Sequence, residues 1–281
     1  MGRSSVIFCA VCLISLGISP STALATSVYA ITYHGGSDVR VYDIEDDQIE
    51  LQLNCNDFPD YGSGAIDLAI SSDNNMLFSS YDGSITITLY NAKTMESEGY
   101  VTPPGEIAGM DFDEENQRLL AVKREDNVLY VYRYDADNKT IILESEIELT
   151  NLEYPNPGAY GVCLDEYRQR LYVSNRTNVV RCYDAANPNF PFLGYIEIKE
   201  GSEEYEAVGI DVYNDGLGNE YLYTGAWTHY GNHDYMIRID LNINDPNDPD
   251  YIIAKNIQTN ALGVAANHDE AYNGLVVCQD C

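Results

Sequence analysis

The chain has little positive charge. It carries 15 lysines and arginines against 45 aspartates and glutamates, a net charge of −30, and the basic residues never cluster. Such a surface repels phosphate backbones and anionic lipid, which excludes nucleic-acid binding and favours solubility or cations. Long apolar runs are also missing. Beyond the first residues no stretch approaches the ~18 apolar residues of a membrane span. Helical periodicity is almost absent, and there is one tryptophan. No G-x-S-x-G, H-E-x-x-H or phosphate-cradling glycine loop occurs, so covalent catalysis and nucleotide binding have no positive support.

The N-terminus reads as an export signal. Arg3 supplies a short basic region, Val6 to Ile18 is an apolar run too short to span a bilayer, and Ala23-Leu24-Ala25 fits a small-x-small cleavage site. Residues 1–25 are expected to be removed, leaving a secreted, periplasmic or cell-surface domain over 26–281. Of the seven cysteines, Cys55, Cys163, Cys182, Cys278 and Cys281 would remain. This odd number points to a free thiol or a missing partner. Cys278-Gln-Asp-Cys281 has the spacing of a redox or zinc half-site, but without a second pair a local disulfide or unpaired thiols explain it better.

Self-similarity governs the rest. A glycine or alanine opens a short apolar strand in AIDLAIS (65–71), GMDFDEE (109–115), GVCLDEY (161–167), GIDVYND (209–215) and GVAANHD (263–269), at spacings of 44, 52, 48 and 54 residues. After each comes a polar turn and a second strand (MLFSS, RLLAV, RLYVS, EYLYT, GLVVC). Third strands end in Tyr or Ile followed by Asp or Asn, as in ITLYN, VRCYD and IRID, and a fourth strand follows. Four short alternating strands cannot bury both faces alone, so units of this kind pack face to face around an axis. The fold expected is all-β, a β-propeller of four-stranded antiparallel blades, with most of the 24 tyrosines serving structure.

The glycine, strand, Asp-rich turn, LYVS and VxxYD sequence resembles bacterial and archaeal propeller repeats of the NHL and YVTN kind, with RLYVSNRTNVVRCYD (170–184) the nearest match. The tail, 261–281, reads as a repeat begun and not finished. SVYAITYHGG (27–36) matches a second strand with no first strand before it. If 261–267 supplied that strand, five blades would close and GLVVC would be surplus. If the C-terminus is truncated, the missing segment would give six, and six is the expectation adopted here.

Two sets of candidate functional residues follow. In propellers of this strand order, the loop into each first strand and the loop between second and third strands share one face. That face would hold His34, Tyr81, Arg124, Arg176, Trp227, His229, Tyr230 and His233, suited to a protein, glycan or small ligand. The second set lies at the channel mouth: Glu106, Glu206 and Asn260 three residues before opening glycines, with Asp67, Asp111 and Asp211 inside. Converging oxygens suit Ca²⁺, and the pattern is similar in outline to six-bladed calcium-dependent lactonases and esterases. That resemblance implies a metal polarising a carbonyl or activating water. The other reading is that the aspartates bond to backbone amides and fix blade register. Asn138-Lys139-Thr140 and Asn175-Arg176-Thr177 fit the glycosylation sequon. The sequence favours a non-enzymatic binding module, as a free chain or as part of a longer cell-surface protein, over a metal-dependent hydrolase.

Overall fold

A computed structural model of the chain describes residues 26–32, 38–43, 48–54, 65–81, 83–92, 94, 96–124, 126–152, 158–200, 203–214, 220–228, 234–241, 257–258 and 272–279. They form five antiparallel sheets. The second sheet contains β4 (Ala65–Ser71), β5 (Met76–Tyr81), β6 (Ile87–Asn91) and β7 (Ser97–Val101). The third contains β8 (Ile107–Asp113), β9 (Arg118–Lys123), β10 (Val128–Asp135) and β11 (Thr140–Glu148). The fourth contains β12 (Gly161–Asp165), β13 (Arg170–Ser174), β14 (Val179–Asp184) and β15 (Phe192–Glu197). The fifth runs β16 (Lys199–Glu200), β17 (Glu203–Asn214), β18 (Glu220–Thr228), β19 (Asp234–Asp240) and β20 (Ile257–Gln258).

The first sheet joins distant parts of the chain. It holds β1 (Thr26–Thr32), β2 (Asp38–Asp43) and β3 (Gln48–Asn54), and its order is β21-β1-β2-β3, where β21 is Tyr272–Gln279. Ser27 pairs with Cys278 and Ala30 with Leu275. Residues 274–278, expected as a second strand, therefore take the first-strand place. The physical reason is the edge of β1, whose N–H and C=O groups would otherwise lie open. The expected sixth unit rested on the other assignment, and this pairing removes that support. GVAANHD (263–269) lies outside the described residues. The first strands β4, β8, β12, β17 and β21 each pack beside the next, and β21 packs against β4. This ring of inner strands with sheets radiating from it is a β-propeller.

Period-2 alternation explains why the third and fourth sheets are apolar on both faces. Along β9, Leu119 and Ala121 pack toward the second sheet with Phe78, Leu89 and Phe112. Leu120 and Val122 pack toward the fourth sheet with Val162, Leu171 and Tyr183. In the fourth sheet Cys163, Tyr172 and Cys182 turn the other way and meet Ile210, Leu222 and Ile239 of the fifth. Phe78 and Phe112 stack at 5.4 Å between centroids and Tyr134 meets both edge-on. In the second, third and fourth sheets the aspartate or asparagine after the third-strand tyrosine closes the next turn: Asn138 N donates to Asp135 Oδ1 at 3.3 Å, Thr94 N to Asn91 Oδ1 at 3.1 Å, and Ala186 N to Asp184 Oδ1 at 3.1 Å.

The opening glycine has a steric reason. A Cβ on Gly109 would stand 2.7 Å from Gly161 Cα and 2.8 Å from Tyr160 O, because the inner strands of neighbouring blades run backbone to backbone. Gly109→Ala is expected to lower stability by about 1–3 kcal/mol through overpacking, read as a lower urea midpoint with unchanged m-value. Cys163 and Cys182 are free and fully buried, and burial pushes the Cys182 thiol up to about 12. Iodoacetamide at neutral pH should leave both unmodified in the folded protein and label both in denaturant, as mass spectrometry of their peptides would show.

Candidate functional site

The loops between second and third strands interlock with the segments leading into first strands. Arg124 N donates to Glu106 O at 2.9 Å, and Arg124 pairs in parallel with Ala159. Tyr160 N donates to Ser174 O, Arg176 N to Ala207 O, and Ala207 N to Thr177 O, at 2.9, 3.1 and 2.9 Å. Each loop is therefore pinned by backbone to the start of the next blade.

On this scaffold four side chains meet. Arg124 Nη1 and Glu106 Oε1 form an ion pair at 2.6 Å, with the two side chains 22% and 27% exposed, and Gly83 N donates to the same carboxylate oxygen at 3.2 Å. The Arg124 guanidinium lies over the Tyr160 ring at 5.7 Å, and that of Arg176 over the same ring at 5.1 Å. Both fall within the ~6 Å reach of a cation–π contact. Arg176 Nη1 also donates to the Tyr160 hydroxyl at 3.4 Å. Arg176 itself has φ 54°, a left-handed conformation that a side chain beyond Asn, Asp or Gly adopts at a cost. What holds it there is a buried bracket: Thr177 Oγ1 and Arg181 Nη1 both donate to Asn175 Oδ1 at 2.6 Å. Asn175 is fully buried and Thr177 nearly so. This sequon is thus a structural turn, while Asn138 is exposed on a hairpin tip.

Of the residues expected on the loop face, the structure brings Arg124 and Arg176 together; of those expected at the channel mouth as metal ligands, Glu106 pairs with Arg124 instead, and Glu206, partly exposed, is next to the Ala207 whose carbonyl accepts from Arg176 N. Tyr81 is buried at 3% exposure and its hydroxyl shares a 2.5 Å hydrogen bond with that of Tyr90, so it belongs to the packing. Trp227 lies on β18 opposite Glu206. His34, His229, Tyr230, His233 and Asn260 lie outside the described residues. Tyr160 was missed. Its signal was its position immediately before the opening Gly161, where the other units carry Gly64, Ala108, Val208 and Leu262.

The inner aspartates take up the structural alternative. Asp67 Oδ2 accepts from Met110 N, and Asp111 Oδ2 accepts from Leu164 N at 2.5 Å, so each carboxyl reaches the backbone of the next blade's first strand. Their levels differ: Asp111 stands two residues before the Asp113–Arg118 pair that closes its hairpin, and Asp67 four before Ser71–Met76. Asp111 and Asp211 also accept from the following amide, at 2.7 Å each. Burial pushes the Asp67 and Asp111 carboxyls well above the usual range. Backbone amides oppose that shift, and the neighbouring aspartates add to it. Among the described residues no group of three or more His, Cys, Asp or Glu is arranged to hold a metal ion.

No protein-family model matches the chain, and no curated protein does. Among solved structures, a chain of the nidogen/laminin complex is similar at TM-score 0.51 and 11% identity, covering 91% of this chain and 99% of that one. Hydrazine synthase of Kuenenia stuttgartiensis gives TM-score 0.45 and 18% identity over 64% of this chain, and the mitotic checkpoint complex 0.40 and 14% over 73%. This chain spans 47% and 58% of those two chains. The first of these likenesses, with the sheet topology, defines the class as a β-propeller protein. It does not distinguish the NHL or YVTN type.

The carboxyl shifts have a sign. Folded-state values raised above the unfolded ones mean that the native protein holds protons the unfolded chain has released, so stability falls as pH rises from about 4 toward the folded values. Asp67→Asn and Asp111→Asn keep an acceptor and remove the titration. Each is expected to flatten the loss of unfolding free energy between pH 4.5 and 7.5. Asp67→Ala, which leaves the Met110 amide unpartnered, should cost about 1–3 kcal/mol at both values.

Proposed function

We propose that the protein is an exported β-propeller binding module that recognises a protein partner through the face on which Glu106, Arg124, Tyr160 and Arg176 meet. The observation that carries this reading is the assembly itself. Side chains from two blade loops and two connecting segments converge, remain partly exposed, and are braced by main-chain bonds between blades. Bracing of this kind lowers the ordering cost of binding. Tyr and Arg are also the residue types that dominate interface energetics. Two other carboxylates between blades are absorbed by the fold: Glu114 accepts from Ser71 Oγ and Asp73 N, and Glu166 from Glu115 N.

Propellers host many unrelated functions, so the weight rests on this site. The nidogen/laminin chain, part of a protein complex by its name, is in keeping with a protein partner. The exported chain, screened against displayed peptides, should yield binders whose affinity falls at least tenfold in Tyr160→Ala. Arg133→Ala, on an exposed Arg133–Glu144 pair of the outer strands, should leave them unchanged. Binders indifferent to Tyr160→Ala would place recognition elsewhere. N-terminal sequencing of the exported chain should begin at Thr26.

A further inference from the structure

We infer that Asn138 is the acceptor of an N-linked glycan carried at the end of the propeller opposite the loop face, and that Asn175 is not an acceptor; this rests on the export proposed above. Two N-x-T triplets occur, Asn138-Lys139-Thr140 and Asn175-Arg176-Thr177, and by sequence they are equal. The chemistry they share is a group transfer from a lipid-linked pyrophosphoryl oligosaccharide. The asparagine Nδ2 forms a bond to C1 of the first sugar as the C1–O bond to the pyrophosphate breaks. The lipid pyrophosphate leaves with the electron pair, and one amide proton is lost to solvent. The product is a secondary amide that keeps one N–H and carries a bulky polar group, so the side chain has to reach water.

The structure separates the two. Asn138 sits at the tip of the β10–β11 hairpin, where residues 136–139 are all exposed. Its backbone N donates to Asp135 Oδ1 and its Nδ2 to Asp135 Oδ2, at 3.3 and 2.9 Å, so the turn is closed within the hairpin. The N–H left after transfer can still make the second bond, and the modified side chain fits the turn it already occupies. Asn175 is the reverse case. It is 0% exposed, its Oδ1 accepts from Thr177 Oγ1 and Arg181 Nη1 at 2.6 Å each, and its Nδ2 is buried. A sugar on that nitrogen has no way out and would drive apart the bracket on which the 175–177 turn is built. Strand direction fixes where the glycan stands. Strands alternate in direction across an antiparallel blade, so third-to-fourth turns lie at the same end as first-to-second turns, away from the second-to-third loops that carry Arg124 and Arg176. Asn138 therefore shares an end with the Asp113–Arg118 turn, and a glycan there leaves the loop face open.

The test is secretion of the whole chain, with its own N-terminus, from insect cells, followed by N-terminal sequencing and intact-mass measurement. The chain recovered from the medium should begin at Thr26 and weigh more than its polypeptide. Peptide N-glycosidase F should remove the excess and leave a carboxyl group where the Asn138 amide stood, while the peptide holding Asn175 is unmodified in the same sample. Asn138→Gln and Thr140→Ala should each abolish the added mass with an unchanged thermal midpoint. The second variant keeps Asn138 itself, so it separates transfer directed by the N-x-T triplet from any other attachment. A secreted chain without a glycan, or with one at Asn175, would overturn the assignment and leave export standing. A chain retained in the cells with Met1 in place would overturn export and the assignment with it.

Discussion

The structure depends on how closely the first strands of adjacent blades approach. At Gly109 there is no room for a methyl group, because Gly161 Cα and Tyr160 O occupy the space. This contact sets the radius of the inner ring. It also brings the next strand's amides within reach of a short side chain, which is why Asp67 and Asp111 can bridge from one blade to the next. A longer carboxylate would overshoot, and an apolar residue would leave those amides with one acceptor fewer. The raised carboxyl values follow from the same closeness, since the space that admits an aspartate excludes water.

Everything outward of the ring is packing of a simpler sort. Alternation along β9 sends Leu119 to one neighbour and Leu120 to the other, so a blade is stable only between two others. The first blade obtains its inner strand from the far end of the described chain, and the ring of first strands is continuous among the described residues. Face and core are linked as well. The Asn175 bracket that holds Arg176 also binds Arg181 Nη1, and Arg181 Nε donates to Asn151 O; Tyr160 stands directly before a ring glycine. A loop site built on such anchors moves with the blades.

The repeat and the two-faced apolar pattern were legible in the sequence because blades reuse one local solution: a small opening residue, a polar turn, and a tyrosine with an Asx turn. The candidate face was half legible. Arg124 and Arg176 could be placed on it by counting strands. Tyr160 could not be singled out, since its role comes from which two loops pass over it. The inner aspartates misled in the opposite direction. Asp67 and Asp111 look equivalent by their distance from the opening residue, yet Asp67 stands four residues before its hairpin pair and Asp111 two before its own, which puts them at different levels.

By itself the sequence determined the architecture, the acidic surface and the strand order within each blade, since these depend on residues near one another in the chain. Tertiary structure decided the rest. It gave residues 272–279 to the first sheet, turned the channel carboxyls toward neighbouring amides, and placed two arginines on one tyrosine. Each of these joins segments of different blades, and no local pattern encodes such contacts; they follow from the angle and distance at which whole sheets pack around the ring.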